Sequence, residues 1–525
     1  MGGSINRFRG RRLAAVLGAV TLSLAGVAGT ATTASAADDY GNIKPDKQGS
    51  ILIHKHAYQS TTTVTATPDG TTNIPSAAVS GVTFTAYKIT AIDLTVAAGW
   101  TATTTAALTV ATACDSLPTA PSGTTSAGSA TTGIDGQASI SSLAIGAYIV
   151  CETAAPATVV DKAQPFIVTI PFSYKRATGT AESWLYDVDV YPKNGVANIT
   201  KTVNAPTALG LGAIATYPVT TDIPTTANLT ASTPNEVFTH YWVKDPMDAR
   251  LIGVAVASVT VDGSPVTSSY YTVTPVGNVL TVRFTTDGLD WLKGKGGKQL
   301  VTTFTGTVAS LGTGATAGIF TNTASFSAAT EPGTAAGTPD DAGATSASIS
   351  ATATQNWGDL VIHKVDAGDS TTGLVGAVFE VYNSSDPNLA TCSSITPAGD
   401  AISVNGAATF TTGTNGLVTI PGLFVSDSTN APTSGTQRCY VLKEITPPVG
   451  FILPVVTPFT AVTVKTGATA TTNGYNPAIT NTRIQGVVLP MTGSNGIVVR
   501  SVAGLALIAA GLVLAFLARR RTQTA

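Results

Sequence analysis

Short runs of alternating apolar and polar residues fill most of the chain, and clusters of Gly, Pro, Asn and Ser separate them. Residues 279–284 and 320–326 show the pattern, with β-branched side chains at many positions. A period of two is typical of half-buried strands, and no long stretch keeps the period of a helix. The pattern predicts an all-β fold, a tandem array of immunoglobulin-like β-sandwich domains.

Four stretches of the first part of the chain recur in the same order near its end. Residues 50–55 resemble 359–364, and residues 81–87 resemble 376–382. The turn at Gly133 and Gly136 resembles the turn at Gly413 and Gly416, and residues 148–152 resemble 440–444. Four matches in one order indicate two copies of one fold.

The segment between the two copies is also rich in strand patterns but lacks the repeated landmarks, which predicts a separate sandwich. Residues 328–353 are rich in Ala, Thr, Gly and Ser, so we expect a linker or an exposed loop there.

Both ends of the chain carry segments that direct a protein to and through a membrane. Residues 1–36 combine four arginines, an apolar run at 13–28 and Ala-Ser-Ala at 34–36, the layout of a signal peptide. Residues 497–518 are apolar or small apart from Arg500, and three arginines follow at 519–521, as in a span whose C-terminus stays in the cytoplasm. The predicted organisation is a signal peptide (1–36), a first domain (37–195), a middle domain (196–350), a last domain (351–486) and an anchoring segment (487–525).

Composition excludes several classes of function. The net charge is −2, and no basic cluster lies outside the two ends, which argues against a nucleic-acid partner. The four histidines, His54, His56, His240 and His363, do not have the spacing of a metal site, and no cofactor motif is present. No Ser, Cys or acid pair lies in a recognisable nucleophile motif, so we do not expect an enzyme.

The chain has four cysteines, an even number that favours disulfides in an exported protein. Three pairings are possible. Cys114 with Cys151 and Cys392 with Cys439 are preferred, because each pair then falls inside one predicted domain.

Two motifs carry a family resemblance. Residues 184–193, WLYDVDVYPK, match the pattern WxxxVxVYPK at every fixed position, and residues 489–493, LPMTG, match LPxTG directly before the apolar span. Together they resemble the pilin motif and the cell-wall sorting signal of Gram-positive shaft pilins, which sortases assemble. The fixed residues are Trp184, Val188, Val190, Tyr191, Pro192 and Lys193 in the first motif and Leu489, Pro490, Thr492 and Gly493 in the second, where Met491 fills the variable position.

The last domain resembles the Cna-B-like domains of these pilins. Residues 440–451 are similar to the E-box YxLxExxAPxGY, with Pro447 for Ala and Phe451 for Tyr. In that family the Glu of the box promotes an isopeptide bond between a first-strand Lys and a last-strand Asn. The resemblance implies Lys364, Asn481 and Glu444 in these roles.

The middle domain offers an equivalent set of residues. Lys201 lies in a plausible first strand, and the surroundings of Asn322 resemble those of Asn481. We expect Asp245 to be the acid, with Asp248 as a nearby alternative. Lys244 should face the opposite side of its strand from Asp245.

The first domain has two of the three residues. Lys55 and Glu152 match the repeat, but Lys193 and its motif occupy the place of the last strand. Asn194 follows Lys193 and is expected to lie outside the strand. We therefore predict no isopeptide bond in this domain.

The resemblance implies a structural shaft subunit of a pilus anchored to the cell wall. A class C sortase would join the Lys193 amine to the Thr492 carbonyl of the next identical subunit, and a housekeeping sortase would attach the polymer to peptidoglycan. Tip or base pilins and a host surface receptor are further expected partners. The alternative is a monomeric LPxTG-anchored adhesin, which needs the sorting signal but not Lys193.

Overall fold

The structure is a computed structural model, and it describes residues 43–58, 64–107, 109–175, 183–225, 236–332, 348–454, 458–467, 476–486 and 494–522. Strands dominate these residues, as the alternating sequence pattern predicts. The signal peptide predicted at 1–36 lies outside the described residues.

The first sandwich encloses its own core, which contains Phe84, Tyr148 and Val188. Its first strand, Gly49–His54, lies between Asp187–Val190, which is parallel to it, and the antiparallel Gln137–Leu143. A four-stranded sheet with the order Thr124–Thr131, Thr83–Ile89, Gly146–Ala154 and Phe166–Ile170 covers the core from the other side. The remaining strands are His56–Ala57, Val159–Asp161, Phe172–Tyr174, Ser183–Leu185 and Lys193–Val196.

A helical insertion follows the strand Thr83–Ile89. It contains the α-helix Ala97–Ala107 and the 3-10 turn Val110–Thr112, and the disulfide between Cys114 and Cys151 ties it to the sheet. The sequence pattern did not predict this helix, because its Ala and Thr residues form no apolar stripe. The second disulfide, between Cys392 and Cys439, lies in the last domain, so both predicted pairings are confirmed.

The middle sandwich begins at Ile199–Lys201. One of its sheets has the order Ile199–Lys201, Ile214–Asp222, Gln299–Val308, Leu251–Val261 and Ser264–Pro265. The facing sheet contains Tyr271–Val276, Val279–Phe284, Glu236–Pro246 and Ile319–Pro332. The α-helix Thr286–Leu292 and the 3-10 turns Ser268–Tyr270 and Lys293–Lys295 complete this region.

The strand Ile349–Asp366 belongs to both the middle and the last sandwich. Its first half pairs with Ile319–Pro332, and its second half pairs with Leu417–Asp427 and, in parallel, with Asn476–Arg483. A second sheet of the last sandwich has the order Pro397–Ala398, Val378–Ser384, Gln437–Thr446 and Phe459–Lys465. The shorter elements are Asp369–Gly373, Phe410–Thr411, Thr414–Gly416 and Phe451–Ile452.

The two sandwiches that share this strand also share one continuous hydrophobic core. The loop at Leu209 and Leu211 makes backbone hydrogen bonds with Phe424 and Asn405 of the last domain, 2.9 and 2.7 Å long. The Asn430 side chain donates a further hydrogen bond, 3.0 Å long, to the carbonyl of Val203. The middle and last domains are therefore joined by packing as well as by the chain.

The expectation of a linker or loop at 328–353 is wrong at both ends of that segment. Residues 328–332 complete the strand Ile319–Pro332, and residues 349–353 begin the strand Ile349–Asp366. Their small residues fit a tightly packed antiparallel pair, in which Ala324 lies opposite Ala351. Residues 333–347 lie outside the described part of the chain.

The C-terminal element is the α-helix Ser494–Thr522. Its segment Arg500–Arg520 has a mean hydropathy of 2.4 and is long and apolar enough to cross a membrane. This helix fits the anchoring segment that the sequence predicts.

Candidate linkage and crosslink sites

Three buried clusters share one plan, one in each sandwich. In each, a buried carboxyl group lies beside a lysine on or directly after the first strand and beside an asparagine on the last strand or a strand near it. Such an arrangement places a nucleophile, an acyl group and an acid within one dry site. The clusters are Lys55, Glu152 and Asn194, then Lys201, Asp245 and Asn322, then Lys364, Glu444 and Asn481.

The first cluster lies in the domain for which we predicted no crosslink. Lys55 and Asn194 are completely buried, and the lysine amine donates a hydrogen bond to Asn194 Oδ1. Glu152 accepts hydrogen bonds from Lys55 Nζ at 3.2 Å and from Asn194 Nδ2 at 2.9 Å. The three groups thus form a closed triangle of contacts.

The expectation that Asn194 lies outside the strand is wrong. Pro192 interrupts the strand that ends at Val190, but extended structure resumes at Lys193–Val196. The resumed strand pairs in parallel with His56–Ala57, and the amide of Tyr58 donates a 2.8 Å hydrogen bond to the carbonyl of Asn194. The available signal was the Asn directly after the motif lysine, because adjacent strand residues face opposite sides.

The second cluster brings together Lys201, Asp245 and Asn322, as the sequence suggested. Lys201 Nζ donates a hydrogen bond to Asp245 Oδ2, which also accepts one from Asn322 Nδ2 at 3.3 Å. The neighbouring Lys244 is exposed, on the opposite side of the strand from Asp245. Met247, which the sequence did not single out, has its sulfur 3.1 Å from Asn322 Nδ2.

Asp248, the alternative acid, is turned away from this cluster. Both of its carboxylate oxygens accept hydrogen bonds from the Arg250 guanidinium, at 2.9 and 2.6 Å. These hydrogen bonds lower the pKa of Asp248 despite the opposing effect of partial burial. A carboxyl group held as an ion by arginine is a poor acid, so the geometry favours Asp245.

The third cluster lies under the E-box strand Gln437–Thr446. Lys364 Nζ is 2.5 Å from Asn481 Oδ1 and 3.0 Å from the carbonyl oxygen of Ile479. Glu444 accepts a 2.7 Å hydrogen bond from Asn481 Nδ2 and lies 3.7 Å from the lysine amine. The parallel pairing of the first and last strands keeps Lys364 and Asn481 in reach.

Burial shifts the pKa of five of these groups in the direction that amide chemistry needs. It lowers the pKa of Lys55 and of Lys364 to about 8, against an attraction to Glu152 and Glu444 that raises it. Burial also lowers the pKa of Lys201 and raises the pKa of Asp245. Neutral amines are nucleophiles, and protonated carboxyl groups can polarise an amide carbonyl.

Glu444 follows the same rule, because burial raises its pKa. The chemistry available to each cluster is attack of the lysine nitrogen on the asparagine side-chain carbonyl carbon. The bond between that carbon and the asparagine amide nitrogen then breaks, this nitrogen leaves as ammonia, and an amide bond between Lys and Asn remains. The acid can move the proton from the attacking nitrogen to the leaving one.

Lys193 has a different environment from these buried lysines. It is half-buried and begins the strand Lys193–Val196, opposite His56 in the parallel ladder. Among the described residues its amine forms no ion pair. An amine held at the edge of a domain without a carboxylate partner is accessible to an external acyl donor.

The rest of the pilin motif fixes the strand that leads to Lys193. Trp184 packs on Trp100 of the helical insertion with ring centroids 5.4 Å apart, and Val188 is buried in the core. The Tyr191 ring stacks on the His54 ring with centroids 4.7 Å apart. Pro192 and Val190 are half-buried beside them. The sorting motif, residues 489–493, lies outside the described residues.

Comparisons with known proteins agree with this architecture. Residues 46–195 match the family model described as Gram-positive pilin subunit D1, N-terminal domain. The chain is 37% identical to fimbrial subunit type 2 of Actinomyces naeslundii, over 98% of this chain and 97% of that protein. It is 30% identical to fimbrial subunit type 1 of Actinomyces viscosus, over 99% of each chain.

A solved structure shows the same fold. The full-length major pilin SpaD from Corynebacterium diphtheriae aligns with a TM-score of 0.60 and 26% identity, covering 85% of this chain and 99% of that one. The resemblance inferred from the motifs is confirmed, and so is the array of β-sandwich domains. The chain belongs to the Gram-positive fimbrial subunits, or pilins, which are structural proteins of the cell-surface pilus.

Proposed function

We propose that this chain is the shaft subunit of a covalent pilus, in which a class C sortase joins Lys193 of one copy to Thr492 of the next. The observation that carries the proposal is the placement of Lys193. Lys193 is half-buried at the end of the first domain and forms no ion pair within the described part of the chain, while the adjacent Asn194 is completely buried. A polymer needs one nucleophile and one acyl donor in every subunit, and Thr492 of the sorting motif supplies the donor.

The three buried clusters would form isopeptide bonds in this shaft, between Lys55 and Asn194, Lys201 and Asn322, and Lys364 and Asn481. Their contacts and the lowered pKa of each lysine support this extension of the proposal. The first bond replaces our prediction that this domain has none. The bonds would connect the first strand of each sandwich to a strand near its end, so that strands could not separate fully under tension.

The anchored end of the polymer would be attached to peptidoglycan by a housekeeping sortase, with tip or base pilins at the ends of the shaft. The predicted host receptor would then be contacted at the cell surface. The helix Ser494–Thr522 supports a membrane-held precursor, because its apolar segment can cross a bilayer.

The test is an immunoblot of cell-wall extracts from strains that carry the native chain, Lys193→Ala or Lys162→Ala. Lys162 is an exposed lysine of the same domain and is the matched control. We expect a high-mass ladder in the native and Lys162→Ala strains and a monomer in Lys193→Ala. A ladder that persists in Lys193→Ala would refute the linkage, and a single band in all three strains would favour the monomeric adhesin.

A further inference from the structure

Lys193 has a histidine beside it in the strand ladder. His56 and Lys193 are directly paired residues of two parallel strands, and both are half-buried on the side opposite Lys55 and Asn194. Paired residues on neighbouring strands project their side chains on the same side of the sheet. The imidazole and the amine therefore emerge next to each other.

One hydrogen bond sets the tautomer of the His56 ring. His56 Nδ1 is 2.8 Å from the carbonyl oxygen of Ser76. A carbonyl oxygen only accepts, so Nδ1 carries the proton, and the neutral ring has its lone pair on Nε2. The backbone holds the register as well, because the His56 amide donates to the carbonyl of Pro192 at 3.3 Å. The ring thus has a basic nitrogen, Nε2, and the ladder pairing places the His56 side chain on the side of the sheet that carries Lys193.

The duplicated last domain provides an internal comparison. Lys364 and Asn481 correspond to Lys55 and Asn194, so Val365 and Thr480 occupy the places of His56 and Lys193. They are directly paired in the parallel ladder, as His56 and Lys193 are. The copy without a linkage lysine also lacks the histidine. The buried cluster exists in both copies, so it does not explain why His56 is present.

The neighbouring histidine is not equivalent. His54 Nε2 is 2.6 Å from Asp189 Oδ1, and its ring stacks on Tyr191. Among the described residues of the strands around His56, the other titratable groups are Lys193, Tyr58, Tyr191, Asp161 on the strand that pairs with Lys193–Val196, and this pair of His54 and Asp189. Of the two histidines, only His56 is paired with the linkage lysine.

We propose that His56 is the general base that takes a proton from the Lys193 amine when the amine attacks the acyl group. This inference rests on the proposed function. The Lys193 nitrogen forms a bond to the Thr492 carbonyl carbon of a second copy, held as a thioester on the sortase cysteine, and the carbon–sulfur bond breaks. One proton passes from the attacking nitrogen to His56 Nε2 and then to the departing thiolate, which becomes a thiol again.

The experiment measures this step without the sortase, whose own catalytic groups would obscure the pH profile. The full-length chain, in detergent, is treated with a thioester of the peptide Leu-Pro-Met-Thr, and acylation of Lys193 and of the exposed Lys162 is followed by peptide mass spectrometry. The ratio of the two rates isolates the effect of surroundings on Lys193. The variants are His56→Asn, whose amide can keep the hydrogen bond to Ser76, and His363→Gln in the last domain as the control.

We expect Lys193 to react about tenfold to 100-fold faster than Lys162 in the native chain, and the ratio to approach one in His56→Asn. The excess rate of Lys193 over Lys162 should be lost in His56→Asn at every pH between about 6 and 9. If His56→Asn does not fold, His56→Ala with added imidazole replaces it, and rescue of the Lys193 rate is expected.

Any one of three results would overturn the role of His56. The ratio of the two rates could stay unchanged in His56→Asn, it could fall equally in His363→Gln, or imidazole could fail to rescue the Lys193 rate in His56→Ala. A pilus ladder that persists in Lys193→Ala would instead overturn the proposed linkage. The two failures are therefore distinguishable.

Discussion

Lys193 and Asn194 are consecutive residues of one strand, and their side chains lie on opposite sides of it. Asn194 is completely buried against Lys55, whereas Lys193 is half-buried and faces outward. In the proposed function, one strand would thus serve an internal crosslink on its core side and an external linkage on its outer side. The two proposed reactions would use different lysines and could be separated by substitution.

Asn194→Ala should remove the crosslink of the first domain and leave Lys193 in place. The intact mass of the variant, after allowance for the substitution, should be about 17 Da higher, because one ammonia is no longer lost. The bond would close a loop of 139 residues. By the chain-entropy estimate for a crosslink, its loss should lower the free energy of unfolding by about 5 kcal/mol.

Asn198→Ala is the matched control, because Asn198 is exposed and its side chain donates a 3.1 Å hydrogen bond to Asp222, away from the buried cluster. Its corrected mass should equal that of the native chain. An Asn194→Ala chain with the native corrected mass would show that no such bond forms in the first domain.

Asp245→Asn should prevent the crosslink of the middle domain, and Asp248→Asn should not. Asp245 is completely buried between Lys201 and Asn322, whereas Asp248 is bound by Arg250. Peptide mass spectrometry of a digest should find the peptides of Lys201 and Asn322 joined in Asp248→Asn and separate in Asp245→Asn. The reverse result would make Asp248 the acid.

The sequence predicted those parts of the molecule that depend on local pattern. Alternating residues predicted the strands, and the resemblance to Cna-B-like domains indicated Lys364, Glu444 and Asn481, which the structure brings together. The cluster of the first domain was missed because a proline, here Pro192, usually ends a strand. Whether a strand resumes after proline depends on a partner strand, here His56–Ala57, which lies more than 130 residues earlier in the chain.

Two further features could not be read from local pattern. The α-helix Ala97–Ala107 consists largely of Ala and Thr and packs through Trp100 and Ala106, so its sequence shows no clear stripe. The strand Ile349–Asp366 joins two sandwiches because small residues such as Ala351 and Ala353 allow close pairing. Composition alone had suggested a linker there.

Asn481→Ala should leave Lys364 buried without its acyl partner, and the stability of this variant should depend on pH. Burial lowers the pKa of Lys364 from 10.5 to about 8 in the folded chain. Between these values the unfolded chain binds more protons, so stability should rise with pH, by at most about 1.4 kcal/mol per pH unit. Urea unfolding between about pH 8 and pH 9.5 measures this slope.

The double variant Asn481→Ala/Lys364→Met is the control and should lose the part of the slope that comes from Lys364. A slope of the same size in both variants would assign the pH dependence to other groups.

Gly422→Ala should weaken the junction between the middle and last domains more than Gly450→Ala weakens the last domain. Both glycines have positive φ, +64° and +85°, so alanine meets backbone strain of about 1 kcal/mol at each. A methyl group at Gly422 would also lie 2.2 Å from Leu211 Cγ, whereas the space at Gly450 is open. Overpacking adds about 1–3 kcal/mol.

Thermal unfolding should therefore show a larger loss of stability for Gly422→Ala, and Leu211→Ala combined with it should recover part of that loss. Equal losses in the two single variants would mean that the loop at Leu211 does not hold the domains together.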